Sequence, residues 1–254
     1  MADYRNTGLD WASRVAIGQV AGWTPFRKFA MNNDMDSGTE QIWPLGTIQV
    51  LPTTAAVAST VSSSTDDDLA GTGARNITIY GLDANYALVE ETIDMDGTTA
   101  VTTTQTFLRI YSANVTVVGT GAQNAGNITI SVGGNAQAYI EAGEGQSHIS
   151  QYTVPANYTL LLNSLDATVG RISGTNDLAL QWQMRLYNES SNNNYESWRS
   201  ILDTFPYQTQ ILVTNATQLV PEKADIRVLG VTGGTNLVCQ VDYSGYLIET
   251  DYID

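Results

Sequence analysis

The chain has one histidine, His148, and it stands beside Ser147 in the run GQSHIS. A hydroxyl next to an imidazole is the raw material of nucleophilic catalysis, in which the base removes the hydroxyl proton. On an extended backbone, however, adjacent side chains point to opposite faces, so these two are not placed to share a proton. No serine sits in a G-x-S-x-G elbow, and Cys239, in the alternating run LVCQV, has the surroundings of a core thiol. As the single cysteine it also excludes an internal disulfide and any multi-thiolate metal site. The glycines of GTG at 71–73 and 119–121 lack the following helix that would make them a phosphate cradle, and read as turns.

Carboxylates are plentiful, 26 in all, and a glycosidase needs only two at the right separation. Abundance alone does not place a pair. Asp66, Asp67 and Asp68 in VSSSTDDDLAGTGAR would offer oxygens to a hard cation such as calcium; a solvated acidic loop is the expectation. Asp34, Asp36 and Glu40, and likewise Asp94 and Asp96, lack calcium-loop spacing and read as turns. The 13 tyrosines can stack on sugars, but cross-strand packing is their expected use. The residues therefore predict no catalytic site, no cofactor and no metal, and a protein that is not an enzyme.

Charge narrows the partners. Lys and Arg number 11, for a formal net charge of −15 and a pI near 4.2. A polyanion repels phosphate backbones and anionic bilayers, so neither nucleic acid nor membrane is an expected partner. No run of about 18 apolar residues occurs, and MADYRNTGLDW lacks the basic start and apolar stretch of a secretory signal, which predicts synthesis in the cytoplasm. Residues 1–30 carry four basic against two acidic side chains, whereas the remainder carries −17. Three of the five tryptophans, Trp11, Trp23 and Trp43, stand in the same region.

The elements that must position these groups read as strands. LDWASRVAIGQ allows a turn or two of helix after an Asp10 cap, stopped by Gly18, Gly22 and Pro25. Residues 1–46 are read as an extended N-terminal arm, with a first strand packed on its own domain as the alternative. Residues 47–143 read as a β-meander or sandwich domain. NITIYGL (76–82) alternates Ile77 and Ile79 against Thr78 and Tyr80, and Asp83-Ala84-Asn85 turns it into YALVEETIDM. Asp96-Gly97 is a strong two-residue hairpin signal leading into a strand at 101–110, and ANVTVVG is expected to pair with NITISVG across GTGAQNAG. Residues 144–254 read as a jelly-roll-like sandwich domain, with a long apolar strand from Tyr158 to Val169 and period-two alternation in LALQWQMRLY (178–187). The fold class expected is all-β: antiparallel β-sandwich or jelly roll, two domains behind the arm.

The stretch GTGARNITIYGLDANYALVEETIDMDGTTAVTTTQTFLRIYSANVTVVGTGAQNAGNITI (71–130), with GTEQIWPLG, GEGQSHISQYTVPANYT and VPEKADIRVLG, resembles a family of structural proteins encoded by tailed bacteriophages. The resemblance implies a virion component and brings no catalytic residue with it. A polyanion suits the outer face of a shell better than contact with packaged DNA. The expectation is a capsid decoration or cement protein on the exterior of the virion, a homotrimer that grips the major capsid protein. Its adhesive residues would be Trp11, Arg14, Trp23, Arg27, Lys28 and Trp43. The alternative is a tail or fibre module that recognises host-surface glycan through Tyr195 and Trp198, and the third reading is a carboxylate-dependent depolymerase.

Overall fold

A computed structural model of the chain describes residues 9–171, 178–188, 195–204, 210–214 and 218–253; side chains are described for 9–170, 182–185 and 218–253. Among the described residues it is all-β, with seventeen strands, one short α-helix and one 3-10 turn at Thr250–Tyr252. Every ladder among the described residues is antiparallel. No described helix is long and apolar enough to cross a membrane.

Four sheets make two sandwiches. The first sandwich uses β1 (Trp23–Met35), β2 (Gly38–Gln41), β10 (Tyr152–Thr153), β11 (Tyr158–Arg171), β12 (Leu178–Asn188), β13 (Tyr195–Thr204), β14 (Gln210–Thr214), β15 (Gln218–Val220), β16 (Ala224–Thr232) and β17 (Leu237–Glu249). One of its sheets runs β1-β17-β11-β14, with β15 beside β14 on β11; the other runs β10-β16-β12-β13, with β2 also on β16. Taking β2 with β10, and β14 with β15, as single strands interrupted in the chain gives strand orders 1-8-3-6 and 2-7-4-5. That is a long four-rung hairpin rolled on itself, the jelly roll.

The second sandwich is inserted between β2 and β10. It comprises β3 (Ala56–Ser62), β4 (Ala74–Leu82), β5 (Leu88–Asp94), β6 (Val101–Phe107), β7 (Arg109–Val118), β8 (Ile128–Val132) and β9 (Asn135–Ile140). Its sheets are β6-β3-β8-β9 and β5-β4-β7. Each sandwich has its own core. Tyr243, Trp182, Met184, Leu160, Leu162 and Cys239 pack in the jelly roll, and Ile77, Ile79, Phe107, Ile110, Ile128 and Ile130 in the insert. Burial alternates along β17 from Leu237 to Gly245, as one buried face requires.

The reading of residues 1–46 as an arm outside the sandwiches is corrected here. Trp23–Asn32 pair residue for residue with Ile248–Cys239, and Gly38–Gln41 pair with Thr232–Leu229. The cause is parity: Phe26, Lys28, Ala30 and Asn32 all point inward, so this stretch has a face to bury. The domain expected at 144–254 is thus a jelly roll that takes its first strands from residues 23–41. Two pairings in the insert also differ from expectation. Asp96-Gly97 turns the chain between sheets instead of closing a hairpin, because β5 pairs with β4 whereas β6 pairs with β3. The strand expected at 101–110 breaks at Leu108, whose N–H is held by the Leu82 carbonyl at 2.7 Å, and β7 and β8 then lie in different sheets. The β4–β5 hairpin through Asp83–Asn85 forms as read, with Asp83 Oδ1 accepting the Asn85 and Ala87 N–H groups.

Candidate functional site

The helix read after Asp10 is α1 (Trp11–Ala16); the Asp10 carboxylate accepts the Ser13 N–H at 2.9 Å, and Gly18 at φ +71° ends the turn. The cap aims Trp11 outward onto β1 and β17. Its ring meets Trp23 and Tyr246 edge-to-face, each at 4.9 Å between centroids, and Trp11 remains 44% exposed. Such edge contacts are favourable because the positive ring edge faces the negative π-face of its neighbour. Tyr252 lies over Gly22, the residue before Trp23, where a β-carbon would come within 2.2 Å of the ring. A pocket of about 190 Å³ lined by Ala12, Ala16, Pro25 and Tyr246 adjoins it.

Of the six adhesive residues expected, Trp11 and Trp23 share this patch, and Arg14 lies in the last turn of the same helix. Arg27 projects from β1 to Asp242 on β17, and the carboxylate raises the guanidinium pKa further. Lys28 and Trp43 do not belong to the patch. Trp43 is buried in the core of the insert and donates its Nε1–H to the Thr47 carbonyl at 2.6 Å, so it is a packing residue. Lys28 is buried on the inward face of β1. Tyr246 is not foreseen from the sequence because the patch forms only when β17 pairs with β1.

Lys28 instead lines a cleft of about 720 Å³ where the jelly roll meets the insert. Phe29 from β1, Tyr80 from β4, Leu88 from β5, Tyr111 from β7 and His148 from the segment before β10 share its wall. The Lys28 ammonium donates to the Tyr111 carbonyl, and burial pushes its pKa down to about 7. His148 packs edge-to-face on Phe29 at 5.3 Å, and its Nε2 lies 3.1 Å from Gln146 Nε2. Burial, aided by the Lys28 charge, holds the imidazole below its ordinary pKa, while Glu144, 4.0 Å from Nδ1, opposes the shift.

Ser147 and His148 do not pair with each other in the described contacts. The Ser147 Oγ accepts the Ala113 N–H at 2.9 Å. Cys239 is a core thiol next to Met35, with burial raising its pKa to about 12. The acidic loop is solvated at Asp66 but not at Asp67. Asp67 is buried, accepting N–H groups from Ala74 and Ala125 at 2.7 Å and Gly126 at 2.9 Å, plus the Ser62 hydroxyl at 2.6 Å. The carboxylate ties its own β3–β4 loop to the ends of those two strands and to the β7–β8 loop by hydrogen bonds. Among the described residues no group of three or more His, Cys, Asp and Glu side chains has the arrangement of a metal site. The side chains of Tyr195 and Trp198 lie outside the described residues.

No family model matches the sequence, and no curated protein matches it. Among solved structures the chain is similar to VP2 of infectious bursal disease virus in its subviral particle. That match has 10% identity and a TM-score of 0.29, covering 92% of this chain and 74% of that one. It is similar also to the Gx strain of that virus, at 10% identity and a TM-score of 0.27 over 91% and 73% of the two chains. A third match, to the T13 particle of the same virus, has 9% identity and a TM-score of 0.29 over 89% and 69%. The likeness is weak, and it is to components of a virus particle.

Proposed function

We propose that the chain is a structural protein of a virus particle, a decoration or cement subunit that acts by adhesion and turns over no substrate. The observation that carries the reading is the half-exposed cluster of Trp11, Trp23 and Tyr246 on one edge of the jelly roll. Exposed aromatics held rigidly by a capped helix and two paired strands are anchors of the type that fill pockets on a partner. The tailed-phage resemblance of residues 71–130 supports the same reading. Under it, the partner is the major capsid protein, the subunit sits on the outer face where −15 of charge faces solvent, and three copies assemble.

Addition of purified protein to undecorated heads tests the assignment. Removing residues 1–30 would also take away most of β1, so the informative variants are Trp11→Ala and a truncation that stops before Trp23. Loss of occupancy with unchanged folding is the expected outcome. Unchanged occupancy removes the adhesive role of the cluster, and absence of the polypeptide from purified particles overturns the reading as a whole.

The aromatic-walled cleft favours a second reading, a tail or fibre module that binds host-surface glycan. The head-addition assay separates the two: no addition of the wild-type protein to undecorated heads, with saturable binding on a glycan array, points to the fibre module.

A further inference from the structure

Lys28 differs from the other buried cation of the seam. Arg109 on β7 has a carboxylate, Asp225, at 2.9 Å. Lys28 is only 8% exposed; among the described residues it has no carboxylate within salt-bridge distance and has the Tyr111 carbonyl as its hydrogen-bond acceptor. An ammonium carries three N–H donors, and a desolvated cation without a counter-ion is costly to hold. The space beside it is the cleft.

We propose that this cleft binds a ring-bearing organic carboxylate, such as a uronic acid, with the Lys28 ammonium as its counter-ion. The volume, about 720 Å³, lies in the range of small-molecule sites. Phe29, Tyr80 and Tyr111 offer ring faces and edges for the body of the ligand, and Gln146 and Ser112 offer hydrogen-bonding groups. In a chain of net charge −15, the described residues lining this wall include Arg27, Lys28 and His148 and no Asp or Glu. The surrounding acids leave room for the ligand. Asp242 is engaged by Arg27, Glu144 sits 4.0 Å from His148, and Glu90 acts on the Tyr111 phenol from outside the wall. The inference holds whether the subunit sits on a shell or in a fibre.

Binding follows the charge of Lys28. With the ammonium deprotonating near pH 7, a carboxylate binds below that pH and is released above it, and a neutral sugar shows no such dependence. The His148 imidazole, depressed by burial, adds charge only at lower pH.

The full-length protein, titrated with glucuronate, glucose and acetate at pH about 6 and about 9, tests this by calorimetry or NMR. Glucuronate is expected to bind saturably at the lower pH, about tenfold more weakly at the higher pH and in Lys28→Met, and about tenfold more tightly than either glucose or acetate. The chain has only two lysines, Lys28 and the exposed Lys223, which gives a readout independent of any variant. Saturating glucuronate should slow reductive methylation of Lys28 severalfold in the wild-type protein and leave Lys223 unchanged, as read by mass spectrometry. No saturable glucuronate binding, equal affinity in Lys28→Met, or equal labelling of Lys28 with and without ligand each overturns the proposal.

Discussion

Arg109 of β7 and Asp225 of β16 form a two-pronged ion pair across the seam between the insert and the jelly roll, at 2.9 and 3.0 Å. Both side chains are about 95% buried, with 6% and 5% exposure. The remaining polar atoms are satisfied: Arg109 also donates to the Pro52 and Leu108 carbonyls, and Asp225 accepts from Gln151 and Thr153. A fork-to-fork pair fixes angle as well as distance, so it sets the orientation of one sandwich on the other.

Arg109→Met is expected to destabilise the protein by about 3–5 kcal/mol, because it leaves the Asp225 carboxylate buried without its cation. Arg109→Met combined with Asp225→Leu should lose less than either single change. Equilibrium unfolding in urea measures both, and a loss under about 1 kcal/mol for Arg109→Met would contradict the buried geometry.

Trp11→Ala should cost about 1–2 kcal/mol or less, since two edge-to-face contacts are lost from a ring already half in water. The circular dichroism spectrum should be unchanged. Trp43→Ala is expected to cost about 3–5 kcal/mol, as that ring is core.

Asp67→Ala should destabilise the insert by about 3 kcal/mol or more, leaving three N–H groups and a hydroxyl without their acceptor. Added calcium should leave the melting temperature of the wild-type protein within about 1 °C, because a cation that does not bind the folded state does not stabilise it. A calcium-dependent rise in Tm would show that the loop is a metal site after all.

Stability should rise with pH between about 7 and about 9. Lys28 has a folded pKa of about 7 against 10.5 for the free amine, so in this window the unfolded chain holds the extra proton and each step up in pH favours folding. The full penalty of the buried charge is present below pH 7. His148, depressed in the same direction, extends the rise below that window. Above about pH 10 the trend should reverse, because Cys239 and Tyr111 are held protonated to about pH 12 in the fold and ionise earlier when unfolded, while the Lys28 contribution ends near 10.5. Lys28→Met should flatten the rise between pH 7 and 9, as followed by the urea midpoint.

Cys239 should resist thiol reagents in the native state and react fully once unfolded. It is inaccessible, and burial keeps it from forming the thiolate.

Alternation was legible wherever neighbours in sequence are neighbours in space. Ile77 and Ile79 face the core, Trp182 and Met184 do likewise, and the Asp10 cap stands where its residue places it. Period two states which side a residue takes, but not which sheet its strand joins. That is why Asp96-Gly97 and the break at Leu108 were misread: both move the chain from one sheet to the other without disturbing the local pattern. Lys28 carried a signal that could have been used, since it shares parity with Phe26 and Ala30 while Arg27 and Phe29 take the opposite side. The cleft it lines was not legible, because His148 and Tyr111 reach it only through pairing of distant segments.

The inserted sandwich closes its ladders from residues between 56 and 140, so it can form as soon as that stretch has left the ribosome. Trp23–Met35 must wait for Leu237–Glu249, more than 200 residues later, before it has a partner strand. Contacts that distant make for slow closure and a long-lived open strand edge. The inward lysine at the centre of that waiting strand is a charge of the type that discourages premature pairing with another chain, and it becomes a liability, or a handle for a ligand, only once the roll has shut.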